Sequence, residues 1–131
     1  MNTEVLHDVI TESQAGKLRF PEVVRRLSEA GVESYFVDFA TGKETLYTTT
    51  GETWVTDLTV HRDAVAEDFS KAGIVAAIRG AQADTVRYPE FVKRATEAGV
   101  IAYWAYLTGR KVVYFGRKGE MHSEEFPRAQ Q

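Results

Sequence analysis

The chain has 131 residues, no cysteine and a formal net charge of −3, which fits one domain large enough to bury a core without disulfides or metal. The missing cysteines exclude a disulfide framework, a thiolate metal site and a cysteine nucleophile. A pI of about 5.6 argues against a broad nucleic-acid-binding surface, and no apolar run approaches the roughly 20 residues of a membrane span.

The first ten residues hold Glu4 and Asp8 and no basic side chain, so they carry no signal-peptide n-region, and the expected location is cytoplasmic. Residues 3–15 read as a first helix. A second helix follows, with Pro21 in its first turn, where no backbone N–H is needed, and Gly31 closing it in the left-handed conformation. Val23, Val24 and Leu27 share one face of this helix, and Glu22 and Arg26 stand at the favourable i,i+4 spacing for an ion pair. Beyond Gly31 the pattern changes to alternation, with Tyr35, Val37 and Phe39 pointing one way along a strand. A turn at residues 41–43 leads into a second strand over 44–49, and a turn at Gly51 leads into a third.

The same order then repeats. Residues 70–83 read as a helix striped by Ile74, Ala77, Ile78 and Ala81. Pro89 and Gly99 bracket the next helix, and Glu90 and Arg94 repeat the i,i+4 pair. Tyr103, Ala105 and Leu107 alternate along a strand, a turn at 108–110 opens a strand over 112–115, and Gly119 opens a third. Shifted by 68 positions, residues 6–54 lie on 74–122 without a gap, with 16 identities in 49 pairs where chance gives about three. The densest match sets RFPEVVRRLSEAGV at 19–32 against RYPEFVKRATEAGV at 87–100. Residues 55–73 join the copies, and Val60, Val65 and Phe69 make that stretch too apolar for a flexible tether. The expected fold is α+β: two tandem helix–helix–strand–strand(–strand) repeats within a single domain, 1–131. The helices pack on one face of an antiparallel sheet, with internal pseudo-twofold symmetry. Pattern alone leaves open whether the copies share one sheet of about six strands or form two packed hairpins.

YPEFV at 88–92, EAGVIAY at 97–103, VYFGRKGE at 113–120 and the segment from His122 to Pro127 resemble a small bacterial and phage family. This is the YbcV-like family labelled "phage envelope protein" and filed as domain of unknown function 1398. The resemblance covers most of the chain and is sharpest over 74–127. It implies an α+β protein of about this length, with no established activity and no catalytic residues to carry over.

The candidate sites follow from faces and spacing. Phe36, Trp104 and Tyr106 lie on the strand face opposite Tyr35 and Tyr103. If the helices cover only one face, these aromatics form a surface for self-association or a ligand groove. Arg19 and Arg87 recur where each copy's second helix begins and could clamp an anion, although a structural role explains their recurrence more simply. Glu120, His122 and Glu124 share a strand face with loose metal-ligand spacing, but a solvated edge strand is the favoured account and no metal is expected. Arg110, Lys111, Arg117 and Lys118 are read as one basic cluster that keeps β-turns hydrated. No residues show a triad or a phosphate-cradling loop, and no cofactor is implied. The favoured reading is a non-enzymatic interaction module that self-associates. The rival is a small enzyme or ligand sensor with a site between the copies, using Glu52, Glu120, Tyr35 and Tyr103.

Overall fold

Helix α1 (Thr3–Gln14) begins where the Asn2 side chain accepts a hydrogen bond from the backbone N–H of Val5, satisfying one of the free donors of the first turn. It buries Leu6, Val9 and Ile10. Helix α2 (Phe20–Glu29) carries Pro21 in its first turn, and the Glu22 carboxylate accepts from the backbone N–H of Arg19 at 2.9 Å. In the second copy, α3 (Lys71–Gln82) is capped by Ser70, and α4 (Tyr88–Glu97) again starts with proline. The chain is described over residues 1–127 by a computed structural model.

Each helix pair leads into three strands, β1 (Val32–Asp38), β2 (Lys43–Thr48) and β3 (Thr53–Asp57), then β4 (Val100–Tyr106), β5 (Lys111–Gly116) and β6 (Met121–Glu125). They form one six-stranded antiparallel sheet in the order β3-β2-β1-β4-β5-β6, which resolves the choice left open by pattern. The join is the pairing of β1 with β4, where Phe36 stands opposite Trp104. These two residues are counterparts in the repeat, so the pseudo-twofold axis passes between them, normal to the sheet. β3 extends beyond the repeat boundary at Trp54 into the joining segment.

All four helices lie on the face that carries Tyr35, Val37, Leu46, Tyr103, Ala105 and Tyr114, and these side chains form one buried core with Leu6, Leu27, Ile74 and Val92. Burying a side chain of this size contributes about 1.5–3 kcal/mol. The joining segment is held down as its apolar content predicts. Leu58 and Val60 are buried, and the Arg62 guanidinium donates to the carbonyls of Phe39, Leu58 and Val60. Of the two anticipated i,i+4 pairs, only Glu90–Arg94 forms. Arg26 reaches Glu12 on α1 instead, because Glu22 is occupied with the backbone of Arg19.

Gly31 and Gly99 both close their helices at positive φ, +91° and +83°. Their surroundings differ. A Cβ on Gly31 would meet nothing, whereas one on Gly99 would lie 2.3 Å from the Asp68 carbonyl oxygen. Gly31→Ala should therefore cost about 1 kcal/mol, the conformational penalty alone, and Gly99→Ala at least about 2 kcal/mol, read as the difference in urea midpoints at constant m-value.

Candidate functional site

A cavity of about 420 Å³ lies between the sheet and the four helices, and both copies line it: Ile10 and Ile78, Arg19 and Arg87, Tyr35 and Tyr103 face it in counterpart pairs. It therefore sits on the pseudo-twofold axis. Strand alternation turns Tyr35, Tyr103 and Tyr114 towards the helices, and the first turn of α4 brings Tyr88 and Phe91 down onto them. The result is a continuous aromatic wall. Tyr35 and Tyr103 meet edge-to-face at 6.2 Å between centroids, Tyr103 and Tyr114 lie 5.7 Å apart, and Tyr88 stacks on Phe91 at 6.3 Å. The Tyr88 and Tyr103 hydroxyls hydrogen-bond at 2.8 Å.

Glu44 enters this apolar space from β2. It stands beside Val37 and Thr56 in the sheet, is 4 % exposed and lines the cavity. Among the described residues no hydrogen bond or ion pair reaches its carboxyl group. Burial alone pushes that group up to about 8, so at neutral pH it is mostly a neutral acid, the state that avoids a bare charge in a low-dielectric interior. Burial also raises Tyr35, Tyr88 and Tyr103, and the neighbouring Glu44 adds to the effect. Tyr114 is raised by burial and then by Glu124. The site thus presents a protonated carboxyl and tyrosine hydroxyls, all able to donate or accept a hydrogen bond, among aromatic rings. The carboxyl also titrates near neutrality, which gives the cavity one group able to exchange a proton.

Charges at the rim already have partners within the chain. Asp84 pairs with Arg87 at 2.8 Å and lies 3.8 Å from Arg19; Arg87 also donates to the Gly16 carbonyl. The two arginines do converge across the axis, but a carboxylate of the chain itself occupies the position that an external anion would take. On the far rim, Glu124 accepts from Arg79 at 2.6 Å and contacts His122 at 3.1 Å. Burial pushes Glu124 up, yet these hydrogen bonds outweigh it and hold the carboxyl below its usual range.

Several expected site residues fall elsewhere. Glu52 is exposed at the β2–β3 turn, where it accepts from Thr50, and Glu120 accepts from the backbone N–H of Lys118 in the β5–β6 turn; neither reaches the cavity. Glu120 is thereby separated from His122 and Glu124, and among the described residues no group of three or more His, Cys, Asp or Glu side chains is placed to hold a metal. The basic cluster divides, because β5 separates Arg110 and Lys111 from Arg117 and Lys118. Arg110 covers the Phe126 ring, while Lys118 approaches Glu67 and Asp68. Tyr35 and Tyr103 are in the cavity wall. Phe36, Trp104 and Tyr106 are on the opposite, helix-free face, half-buried against one another and Tyr47.

Among the cavity residues that escaped the sequence reading are Glu44, Tyr88 and Tyr114. Their signal is a break in the repeat, since their counterparts are the apolar Val112, Phe20 and Leu46. A second depression, of about 480 Å³ between α3 and α4, is lined by Glu90, Arg94 and the capping Ser70. These groups already have partners.

Among family models, one described as "Protein of unknown function (DUF1398)" matches residues 8–125. No curated protein matches the chain.

The proton on Glu44 ties stability to pH. An unfolded carboxyl ionises near 4.5, and in the fold the group ionises only near 8, so folding retains a proton over that window. The contribution is fully present below about 4.5 and is lost as pH rises through about 8, falling by about 1.4 kcal/mol per unit between those limits. Glu44→Gln keeps the shape and the neutral state, so the variant should gain on the wild type by that slope, as measured by chemical denaturation from about pH 5 to about pH 9.

Proposed function

The chain belongs to the DUF1398 family, and we propose that it is a binding protein for a small organic molecule, held in the axial cavity with Glu44 as its polar anchor. The observation that carries this reading is a carboxyl group, 4 % exposed and without a hydrogen-bond or ion-pair partner among the described residues, lining a partly enclosed space of about 420 Å³. A buried acid contributes nothing to stability in that position, since an apolar residue would pack there without the desolvation cost. Small-molecule sites have this composition, with mostly apolar and aromatic walls and a few convergent polar groups in roughly 300–1,000 Å³. Of the two functions read from the sequence, this favours the ligand site between the copies. The polar groups differ from those expected, because Glu44 takes the place of Glu52 and Glu120.

The proposal is tested by screening a chemically broad fragment set against the wild type and against Ala81→Trp, whose indole would fill the cavity from α3. A ligand present at a hundred times its Kd should stabilise the wild type by about 2.7 kcal/mol, several degrees in Tm for a domain of this size, and should leave Ala81→Trp unmoved. NMR shift changes should centre on Tyr35, Glu44 and Tyr103. Fragments that perturb only other surfaces, or that stabilise both proteins equally, would sink the reading.

A second reading concerns the helix-free face of the sheet, where we propose that two copies pack. Its support is a row of side chains running across the strands from Val55 through Thr45, Phe36 and Trp104 to Val113. Val55 is 58 % exposed, and Met121 on the same face is 62 % exposed. The Trp104 indole N–H is buried and unpartnered among the described residues, a donor that a covering chain could satisfy. Sedimentation at rising concentration should show a dimer, and Val55→Lys with Met121→Lys should return it to monomer with the fold intact. A wild type that stays monomeric at millimolar concentration would remove this reading.

A further inference from the structure

Resting on the binding role proposed above, we infer that the molecule bound in the axial cavity is an organic cation: a protonated amine on a small apolar body, its nitrogen against the Glu44 carboxylate and its carbons against the tyrosine wall. The argument starts from what the chain leaves unmatched. Among the described residues each cation at the cavity rim has an acidic partner: Arg19 and Arg87 share Asp84, and Arg79 holds Glu124. Glu44, the one buried acid of the lining, has none among the described residues. Tyr35 on β1, Tyr103 on β4 and Tyr88 on α4 feel its charge, Val37 and Thr56 flank it in the sheet, and none of these carries a positive charge. Gln14, which lines the same cavity, donates to the Asp57 carbonyl and accepts from Thr59.

A cation supplied by a ligand completes this arrangement in two ways. It pairs the orphan carboxyl, and it places positive charge beside aromatic rings whose faces are negative. Asp84 stands between Arg19 and Arg87 and offsets one of their two positive charges. Glu44 itself has no arginine acting on it that would favour an anion there. The volume of about 420 Å³ admits a single-ring amine.

Burial holds the Glu44 carboxyl protonated below about 8. An ammonium ligand must therefore displace that proton to solvent: the cation arrives charged, Glu44 releases one proton, and a carboxylate–ammonium pair remains. A ligand that merely accepts a hydrogen bond from the neutral acid displaces nothing. The two cases differ in sign with pH. Cation affinity rises about tenfold per pH unit towards about 8 and then levels, whereas acceptor affinity is flat there and falls above it. An alkylamine stays charged throughout, with a pKa near the roughly 10.4 of lysine.

The experiment uses the full chain and four probes sharing one phenylpropyl body: 3-phenylpropylamine, 3-phenylpropan-1-ol, 3-phenylpropanoate and 4-phenylbutan-2-one. Each is titrated calorimetrically from about pH 6 to about pH 8, with buffers of different ionisation enthalpy to count protons. The expected result is preference for the amine, affinity rising about tenfold between pH 6 and pH 7, and release of nearly one proton. Glu44→Gln should lose most of the amine affinity and keep whatever binding the alcohol shows. Binding of the ketone or alcohol as tightly as the amine at about pH 8, or amine affinity flat with pH, would overturn the cation class and leave a small-molecule site standing. Failure of all four probes would also overturn the cation class, while the fragment screen with Ala81→Trp decides separately whether the cavity binds anything.

Discussion

The pairing of β1 with β4 is the constraint on which the rest of the molecule depends. Ten backbone positions, from Ser34–Tyr106 to Asp38–Ala102, lock two strand sets into one sheet about an axis between Phe36 and Trp104. Because antiparallel register has period two, this pairing fixes which side chains from each copy share a face. It places Tyr35 and Tyr103 diagonally across the axis on the helix side, and Phe36 and Trp104 directly opposed on the other. Slipping the pair by one residue would turn the core aromatics outward along both central strands. The helices follow from the same fact: each pair covers its own half of the sheet, and the two pairs meet over the axis.

The two faces of the sheet manage water differently. On the helix side, the four helices approaching from both copies leave space along the axis above Tyr35 and Tyr103. On the other side the aromatics cover one another, with Trp104 stacked between Tyr47 and Tyr106. A large apolar area is thereby half-shielded without a second layer. Outer positions carry the compensation, as in the Lys43–Asp57 pair, where hydrogen bonding and charge from Lys43 hold Asp57 below its usual range.

Most of the fold was legible in the sequence because its determinants are local or periodic. Pro21, Pro89, Gly31 and Gly99 mark helix ends through backbone conformation alone, and alternation at Tyr35, Val37 and Phe39 assigns faces without knowledge of the neighbours. What could not be read depended on tertiary placement. Arg26 abandoned Glu22 because α1 delivers Glu12, a contact between residues fourteen positions apart. A structural role was the simpler expectation for Arg19 and Arg87, yet the partner they share is Asp84, a residue at a positive φ of 60° that the pattern did not point to. The cavity was illegible for a different reason: empty volume is what remains after packing, and no residue pattern encodes it. Glu44 fell on the buried face of β2 by simple alternation, and only the lid of helices makes that position unusual for a carboxyl. Tyr88 and Tyr114 were visible as departures from the repeat, which a search for retained residues passes over.

The covalent join between the two halves has an electrostatic consequence. In a homodimer of identical half-chains, any group beside a twofold axis faces its own copy, so a carboxyl lining an axial cavity would come as two. Two such acids in one small, dry space cannot both ionise, and one would be held protonated by the other's charge. Linking the halves through residues 58–70 lifts that restriction. Glu44 faces a Val112 counterpart rather than a second glutamate, so its proton can leave without opposition from a twin. Fusion thus converts a symmetric container, which could only recognise symmetric or neutral guests, into one with a single polar end and hence a direction.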